Sequence, residues 1–407
     1  MTDSKILSKR RLYLVVAVIA MLFSGVIYAW SILKIPFKNE FAWADTSLAL
    51  NFTLTMCFFC LGAFFGSLIC KRTGPKFALI IAGILAGIGF GVTGLLNKDS
   101  LFLLFVSYAV LGGSGIGISY NVIVSTVNAW FPDKKGFCSG CLMMGFGFST
   151  LLLGNLSSYL FEIESFGWRK VYLLLGAALA VILVLCGFIL RRPTSDTVLP
   201  AAKAGKVAKK EDFESRDFTT LEMIRRFTFI KAFICLIFIT AVGNSVISFA
   251  RDLVLSVGAR PALATTLVGV LAVFNGVGRI LTGALYDNLG RRLTMLASNV
   301  VTIIAAGITL VAVWITSLPL CIIGLCLTGI SYGSCPTISS AFTLSFYGSK
   351  HFSTNYSITN FNLIVASFIA TFCNNLLIST GSYTAPFAML LAIAVIALGL
   401  NFSIRKP

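Results

Sequence analysis

Twelve long apolar runs constrain the fold of this 407-residue chain more than any other feature. A helix that crosses the hydrocarbon core of a bilayer needs about 20 consecutive apolar residues, and every run reaches that length. With 57% hydrophobic and only 12% charged residues, the chain lacks the polar surface of soluble domains. The runs are continuous rather than alternating, which excludes an outer-membrane β-barrel. The sequence therefore predicts an all-α membrane protein with twelve transmembrane helices.

The twelve predicted spans, numbered 1 to 12 in chain order, form two sets of six. The first set covers residues 12–34, 48–70, 77–96, 101–128, 137–160 and 171–190. The second set covers residues 229–250, 263–286, 293–314, 318–343, 352–377 and 384–404. Charges of both signs fill the segment between the sets, which is typical of a solvated linker. The predicted organisation is a six-helix bundle over 1–190, a linker over 191–228 and a second six-helix bundle over 229–407.

The distribution of basic residues predicts the orientation in the membrane. The chain has 32 Lys and Arg against 15 Asp and Glu, and the excess lies in the loops on the side of both termini. The opposite loops carry only Lys34, Lys38, Lys98, Arg169, Lys170, Arg251 and Arg260. Because positive loops remain in the cytoplasm, we expect a multi-pass protein of the plasma (cell inner) membrane with both termini and the linker cytoplasmic. This topology accounts for the net charge of +17 without nucleic-acid binding.

Cysteine and glycine patterns give no sign of a cofactor or a metal. The eleven cysteines lie almost entirely in apolar runs, where thiols act as small hydrophobes. The pairs Cys57/Cys60 and Cys138/Cys141 have a CxxC spacing, but the single histidine, His351, is distant in sequence. The glycine clusters of spans 3 and 4 lie inside apolar helices without a preceding strand, which favours close helix packing over nucleotide binding. We therefore predict that the protein binds no metal and no cofactor, and that it is not an enzyme.

Two short signatures recur at nearly constant offset. The tetrapeptide Gly-Ile-Ser-Tyr at residues 117–120 in span 4 returns at 329–332 in span 10, a shift of 212. The loop at residues 71–76 after span 2 returns at 287–292 after span 8, a shift of 216. Equal features at equal offsets indicate a duplicated six-helix unit.

This pattern resembles the major facilitator superfamily, whose loop after spans 2 and 8 reads Asp-Arg/Lys-x-Gly-Arg/Pro-Arg/Lys. Residues 287–292 match that form at every specified position except Asn288, whereas Lys71 stands where the first copy usually has aspartate. The resemblance implies two pseudo-symmetric six-helix bundles, the MFS fold. In such a carrier the bundles rock around a central site that opens to each side in turn.

A narrower resemblance is to the oxalate/formate antiporter family and the related monocarboxylate transporters. It is carried by Asn-Ala-Trp-Phe-Pro-Asp-Lys-Lys-Gly at 128–136, Gly140, Tyr-Ala-Trp at 28–30 and Arg279. Within the first of these motifs, the proline ends span 4. The aspartate, Asp133, is predicted near the N-terminus of span 5 in an N-cap-like position.

Arg279 lies in the middle of span 8, whereas no Asp or Glu lies deep in any span. An unpaired arginine in hydrocarbon costs at least about 2.5 kcal/mol, so it should face a polar interior and bind an anion. Arginine can hold a carboxylate through two parallel hydrogen bonds. Asn275, four residues earlier, shares its face and can orient the guanidinium or the substrate. The resemblance to eukaryotic monocarboxylate transporters places a proton-coupling aspartate at that position, so the amide argues against a protein-borne proton carrier.

Aromatic residues complete the predicted site. Tyr120 and Tyr332 occupy equivalent positions in the repeat, and a two-fold arrangement would direct both hydroxyls towards the central cavity. The family resemblance implies the same role for them and adds Tyr28. Phe146 is either an apolar wall of the cavity or a lipid-facing side chain.

Span 11 bears on the size of the substrate. The resemblance places a second cation of oxalate-type members at Leu363 and a tryptophan at Asn360, and neither residue is present. A single cavity cation suits a single carboxylate, because the second charge of a dianion would remain uncompensated in a low-dielectric space. Asn360 and Asn362 provide amides, which suits lactate, pyruvate, formate or acetate.

The predicted function is secondary active transport of small monocarboxylates, as proton symport or anion exchange, by a monomer. The alternatives are an oxalate/formate-type dicarboxylate antiporter and, from another class, a carboxylate receptor that does not transport. A membrane-embedded enzyme and a drug exporter are disfavoured. The spans hold neither a histidine-containing catalytic site nor the buried acids on which cation exporters rely.

Overall fold

The computed structural model describes residues 3–194, 197 and 217–405, and these residues form helices and no strands. The central part of the predicted linker, residues 198–216, lies outside the described residues. The chain divides into two compact units. The first comprises Met1–Lys134 and Gly145–Ala202, and the second comprises Lys135–Met144 and Lys203–Pro407.

The first unit contains spans 1 to 4, the later part of span 5, and span 6. Its elements are Asp3–Ser24, a 3-10 turn at Gly25–Ala29, Trp30–Leu33, Ile35–Phe41, Asp45–Thr93, Leu101–Leu104, a π-helix at Phe105–Gly113, Ser114–Asn128, a π-helix at Thr150–Gly154, Asn155–Glu162 and Gly167–Ile189. The helix Lys135–Ser149 begins in the second unit and ends in the first.

The second unit contains spans 7 to 12 and the start of span 5. Its further elements are Thr220–Ile224, Phe227–Ser256, Pro261–Trp314, Leu318–Tyr347, Phe352–Thr359, Asn362–Thr380 and Thr384–Phe402. Buried apolar side chains of these helices form two core clusters. One contains Phe249 and Phe387, and the other contains Phe229 and Tyr347.

Ten segments of the described chain are long and apolar enough to cross a membrane. Two of them, Thr46–Thr93 and Thr266–Trp314, have 48 and 49 residues, about twice the length of one span. The backbone leaves the helix within each, at Gly74 (φ 80°, ψ 172°) and at Gly290 (φ 75°, ψ 178°). Each of the two segments therefore holds two spans, and the ten segments hold the twelve predicted spans.

Gly74 and Gly290 are equivalent positions of the repeated loop, 216 residues apart. Their positive φ belongs to a region that glycine enters readily and residues with a Cβ rarely do. The same residue in the same conformation turns the chain after spans 2 and 8. The repeat seen in the sequence is thus also present in the backbone.

The Trp-Phe-Pro-Asp run closes one end of the first unit. Asp133 forms a partly buried ion pair with Arg10 before span 1, and the guanidinium of Arg10 lies 4.4 Å from the ring centre of Phe131. The indole Nε1 of Trp130 donates a 2.7 Å hydrogen bond to the carbonyl of Arg191, just after span 6. The prediction that Asp133 caps span 5 is therefore wrong, because its carboxylate pairs with Arg10 and the N-cap residue of the helix is Lys134.

The end of the predicted linker is packed rather than solvated. Phe218 and Met223 are buried in the second unit. The amide of Phe218 donates to the carbonyl of Tyr347, and its carbonyl accepts from Nδ2 of Asn355, both at 3.0 Å. A capping box at Thr219 starts the short helix that follows. The final residues of the linker thus belong to the folded core of this unit.

Candidate functional site

The guanidinium of Arg279 is buried, with 1% of the residue exposed. Its Nε donates a 3.0 Å hydrogen bond to Oδ1 of Asn275, as the four-residue spacing on one helix permits. Its Nη1 donates a 2.6 Å hydrogen bond to the backbone carbonyl of Met143 in span 5. Within the part of the chain that the structure describes, no acidic side chain pairs with Arg279. The charge is therefore solvated by an amide and a main-chain carbonyl, both neutral.

Two other arginines are also buried among the described residues, and they differ from Arg279 in their role. Arg10 pairs with Asp133. Arg291 lies in the loop after span 8 and donates to Oδ1 of Asn401 and to the carbonyl of Ile404, at 3.3 and 3.0 Å. Both hold together the ends of helices, whereas Arg279 lies in the middle of its span.

Tyr332 in span 10 is buried, with 2% of the residue exposed. Its hydroxyl donates to Oδ1 of Asn244 in span 7, at 3.1 Å. Nδ2 of Asn244 in turn donates to Oγ of Ser367 in span 11, at 3.0 Å. The ring packs directly on Gly243, where no side chain would fit. Span 7 therefore fixes both the ring and the hydroxyl of Tyr332.

Asn360 lies in an irregular turn of span 11 that follows the helix Phe352–Thr359, and Asn362 begins the helix Asn362–Thr380 after it. Both asparagines are buried. Nδ2 of Asn362 donates to the carbonyl of Thr359 at 2.6 Å, and its Oδ1 accepts from the hydroxyl of Thr240 at 3.1 Å. The side chain thus satisfies a carbonyl at the end of the preceding helix. The helix tightens there without unwinding, because Asn360 and Phe361 keep helical φ/ψ and the amides of Phe361 and Leu363 donate to the carbonyls of Ile358 and Asn360.

In the first unit, three predicted site residues lie together. The ring of Phe146 makes edge contacts with Tyr28 and Tyr120, with centroids 5.3 and 5.1 Å apart. Phe59 joins the cluster at 5.1 Å from Tyr120. Tyr120 and Phe146 are 4% and 1% exposed, so the lipid-facing alternative for Phe146 is wrong. Tyr28 lies within the 3-10 turn Gly25–Ala29, and such a mid-helix irregularity often marks a functional site.

In the first unit, Phe146 therefore contacts both Tyr28 and Tyr120. In the second unit, Asn275 and Arg279 form a pair, whereas Tyr332 and Asn362 are each hydrogen-bonded to span 7. Asn360 is buried two residues before Asn362. Sequence reasoning missed Asn244, Thr240, Ser367 and the carbonyl of Met143. Asn244 and Thr240 are polar residues four positions apart in an apolar run, a signal that was available. A main-chain contact such as that of Met143 leaves no trace in a sequence.

The family assignment rests on a comparison of the whole chain. The sequence profile of the Major Facilitator Superfamily matches residues 12–371 and 232–407. The chain belongs to the major facilitator superfamily. The predicted resemblance and the predicted fold, an all-α protein of two six-helix bundles, are thereby confirmed. As a member of this superfamily it is a multi-pass membrane transporter.

Two named transporters are similar to this chain in sequence. The oxalate:formate antiporter of Oxalobacter formigenes is 30% identical over 293 residues, which cover 71% of this chain and 66% of the antiporter. The chain thus spans about two thirds of the antiporter's length. Monocarboxylate transporter 12 of Mus musculus is 25% identical over 381 residues, 88% of this chain and 77% of that protein.

Solved structures of the superfamily show the same fold. The proton:xylose symporter XylE, bound to 6-bromo-6-deoxy-D-glucose, has a TM-score of 0.75 at 16% identity, over 98% of this chain and 96% of XylE. The Escherichia coli fucose:proton symporter FucP has a TM-score of 0.67 at 12% identity, over 97% and 98%. At such identities the likeness extends to the fold alone.

Proposed function

We propose that this superfamily member transports small monocarboxylate anions, such as lactate, pyruvate, formate or acetate, by alternating access. The observation that carries the proposal is the buried charge of Arg279, which no acid among the described residues neutralises. The names of the antiporter and the monocarboxylate transporters support the same class of substrate. They also favour transport over catalysis.

The chemistry of Arg279 suits a carboxylate. A guanidinium presents donors in a planar fork that matches the two carboxylate oxygens, and charge-assisted pairs of this kind are about twice as strong as neutral hydrogen bonds. Asn275 steadies the guanidinium through Nε. Tyr332, Asn360 and Asn362 add neutral polar side chains within the same unit, and the Tyr332 hydroxyl, which donates to Asn244, can still accept a hydrogen bond. We assign the substrate carboxylate to Arg279 and the recognition of hydroxy or keto groups to these neutral side chains.

We infer that the carrier works by anion exchange or by proton symport with the substrate. The position where the resemblance expects a proton-coupling aspartate is Asn275, so the proton in a symport travels with the substrate and arginine pair. We place the protein in the plasma (cell inner) membrane as a monomer with both termini cytoplasmic.

Uptake by purified protein in liposomes tests the function. A panel of radiolabelled lactate, pyruvate, formate, acetate and oxalate measures the substrate class. Arg279→Lys should abolish uptake, because an ammonium cannot reproduce the fork. The matched control is Arg260→Lys, which changes an exposed arginine in the same way. Wild-type rates in Arg279→Lys, or no uptake of any carboxylate, overturn the proposal.

Counterflow separates exchange from uniport. We expect efflux of the preloaded acid to be slow without external anion and fast with it. Equally fast efflux in both conditions, across pH, contradicts obligatory exchange.

A second candidate is exchange of a dicarboxylate for a monocarboxylate. The 30% identity to the oxalate:formate antiporter favours it. Leu363 and Asn360 count against it, because neither supplies the second cation that a dianion needs. Oxalate uptake driven by internal formate, at rates above those of lactate and pyruvate, would select this candidate.

A further inference from the structure

The first ten residues of the span 5 helix, Lys135–Met144, belong to the second compact unit, although the sequence places span 5 in the first half. The segment is attached to spans 8 and 10 by contacts at its start, its middle and its end. The attachment at its end is the hydrogen bond between the Met143 carbonyl and Arg279, the residue to which we assign the substrate.

At the start of the segment, Asp287 caps the span 5 helix. Its Oδ1 accepts from the amide of Gly136 and its Oδ2 from the amide of Phe137, both at 2.9 Å. These amides have no partner within their own helix, and a carboxylate at a helix N-terminus also interacts favourably with the helix dipole. The cap therefore ties the beginning of the segment to the end of span 8.

In the middle of the segment, the backbone of span 5 is in direct contact with the backbone of span 8. A Cβ atom at Gly140 would lie 2.7 Å from the carbonyl oxygen of Arg279, closer than any side chain tolerates. Gly136 and Gly283 approach each other in the same manner. The hydroxyls of Ser139 and Ser340 are 3.0 Å apart, which adds a contact to span 10. This small-residue packing leaves the Met143 carbonyl within reach of the guanidinium.

The Met143 carbonyl is a neutral acceptor on a charged donor. A substrate carboxylate that approaches the same guanidinium offers a stronger, charge-assisted bond. Arg279 is 1% exposed in the attached state, so the guanidinium has little room for a second large acceptor. Since Nε is bound to Asn275, a carboxylate that binds through both Nη groups competes with the Met143 carbonyl for Nη1.

We propose that the Met143 carbonyl competes with the substrate carboxylate for Arg279, so that binding of the anion releases Lys135–Met144 from spans 8 and 10. The inference rests on the proposed function, because the competing ligand is a carboxylate. With no substrate the segment stays attached and the carrier reorients slowly. With substrate bound, one of the three attachments is lost and the segment separates more readily.

Cys138 reports on this release in the native sequence, because its thiol lies in the segment and is 0% exposed. Peptide mass spectrometry follows its alkylation by N-ethylmaleimide in purified protein, with sodium formate, sodium lactate or sodium chloride at equal ionic strength. The loss of one charge-assisted hydrogen bond shifts such an equilibrium by about tenfold or more. We expect formate or lactate to accelerate alkylation of Cys138 by that factor. Cys321, also 0% exposed but in the apolar core, is the internal control and should not change.

Two variants remove the attachment in different ways. Arg279→Gln deletes the charged donor and should give fast alkylation of Cys138 that no anion increases. Gly140→Ala leaves the arginine in place but separates the backbones, so alkylation should be fast in chloride alone. Gly91→Ala is the matched control, since a Cβ at Gly91 meets no atom within 4 Å.

The outcomes distinguish this inference from the proposed function. If the wild-type protein transports formate or lactate but the anion leaves Cys138 alkylation unchanged, the competition is wrong and the transport function stands. Alkylation in Arg279→Gln as slow as in wild type also overturns the competition. If no carboxylate is transported, the proposed function fails and the competing ligand with it, even if both variants expose Cys138.

Discussion

The hydroxyl of Tyr332 donates a hydrogen bond to Oδ1 of Asn244 over 3.1 Å, and this contact joins the middle of span 10 to span 7. A further hydrogen bond connects Asn244 to Ser367 in span 11. Asn244 is 2% exposed and Ser367 is 3% exposed, so water does not replace these bonds. Asn244 is therefore a positioning residue, which acts on the site through the orientation of Tyr332.

Replacement of Asn244 by Ala should weaken substrate binding more than it slows turnover. A buried donor or acceptor left unpaired costs about 1–3 kcal/mol, so Tyr332 will adopt other orientations. We expect KM for the preferred acid to rise about tenfold while the maximal rate changes little. Transport kinetics in liposomes measure both quantities.

Tyr332→Phe provides the control for this prediction. If Asn244 acts through the hydroxyl of Tyr332, Asn244→Ala should have little further effect on KM in the Tyr332→Phe background. Additive effects of the two substitutions would show that Asn244 acts by another route.

Asp287→Asn should destabilise the protein, because an amide can accept only one of the two backbone hydrogen bonds and carries no charge for the helix dipole. Loss of such a cap costs about 0.5–2 kcal/mol. Thermal unfolding in detergent should show a lower midpoint. The matched control is Lys71→Asn at the equivalent position of the first repeat, where the side chain is exposed and the midpoint should not move. Equal midpoints for Asp287→Asn and wild type would contradict the capping role.

A disulfide between Ser139→Cys and Ser340→Cys should lock the carrier. The two hydroxyl oxygens are 3.0 Å apart, so the side chains already face each other. Oxidation of the double variant should stop transport if the segment must leave span 10, and reduction should restore it. Each single variant, treated in the same way, controls for oxidation of the native thiols. Full transport by the cross-linked protein would mean that this contact persists throughout the cycle.

Leu363→Lys should shift selectivity towards oxalate. Leu363 follows the irregular turn of span 11 and is half-buried, at the position where the resemblance places a second cation. An added positive charge compensates the second carboxylate of a dianion in a low-dielectric site. We expect oxalate uptake to rise relative to formate uptake, measured as a ratio in the same liposomes. Leu363→Met, which keeps the volume without the charge, should leave the ratio unchanged.

Several features of the fold and the site follow from local rules. Hydropathy gave twelve spans because each helix must cross the bilayer independently. The repeated loop was visible because Gly74 and Gly290 both need a backbone conformation that favours glycine. The proximity of Asn275 and Arg279 follows from helical periodicity alone.

The contact partner of Asp133 could not be predicted from such local rules. Its place just before span 5 suggested a helix cap, yet it pairs with Arg10, and Asp287 caps the helix instead. Either carboxylate satisfies the amides equally well. The choice depends on which helix ends meet, and a linear sequence holds no local signal for that.

By itself, therefore, the sequence determined the number of spans, the internal duplication and the presence of a buried cation without an acid deep in any span. Only the tertiary structure decided that Asn244 holds Tyr332, that span 11 has an irregular turn at Asn360, and that a carbonyl of Met143 contacts Arg279. The physical reason is that hydropathy and periodicity act within one helix. Contacts between helices depend on the rotation and register of each helix against its neighbours, which close packing of side chains sets across the whole unit.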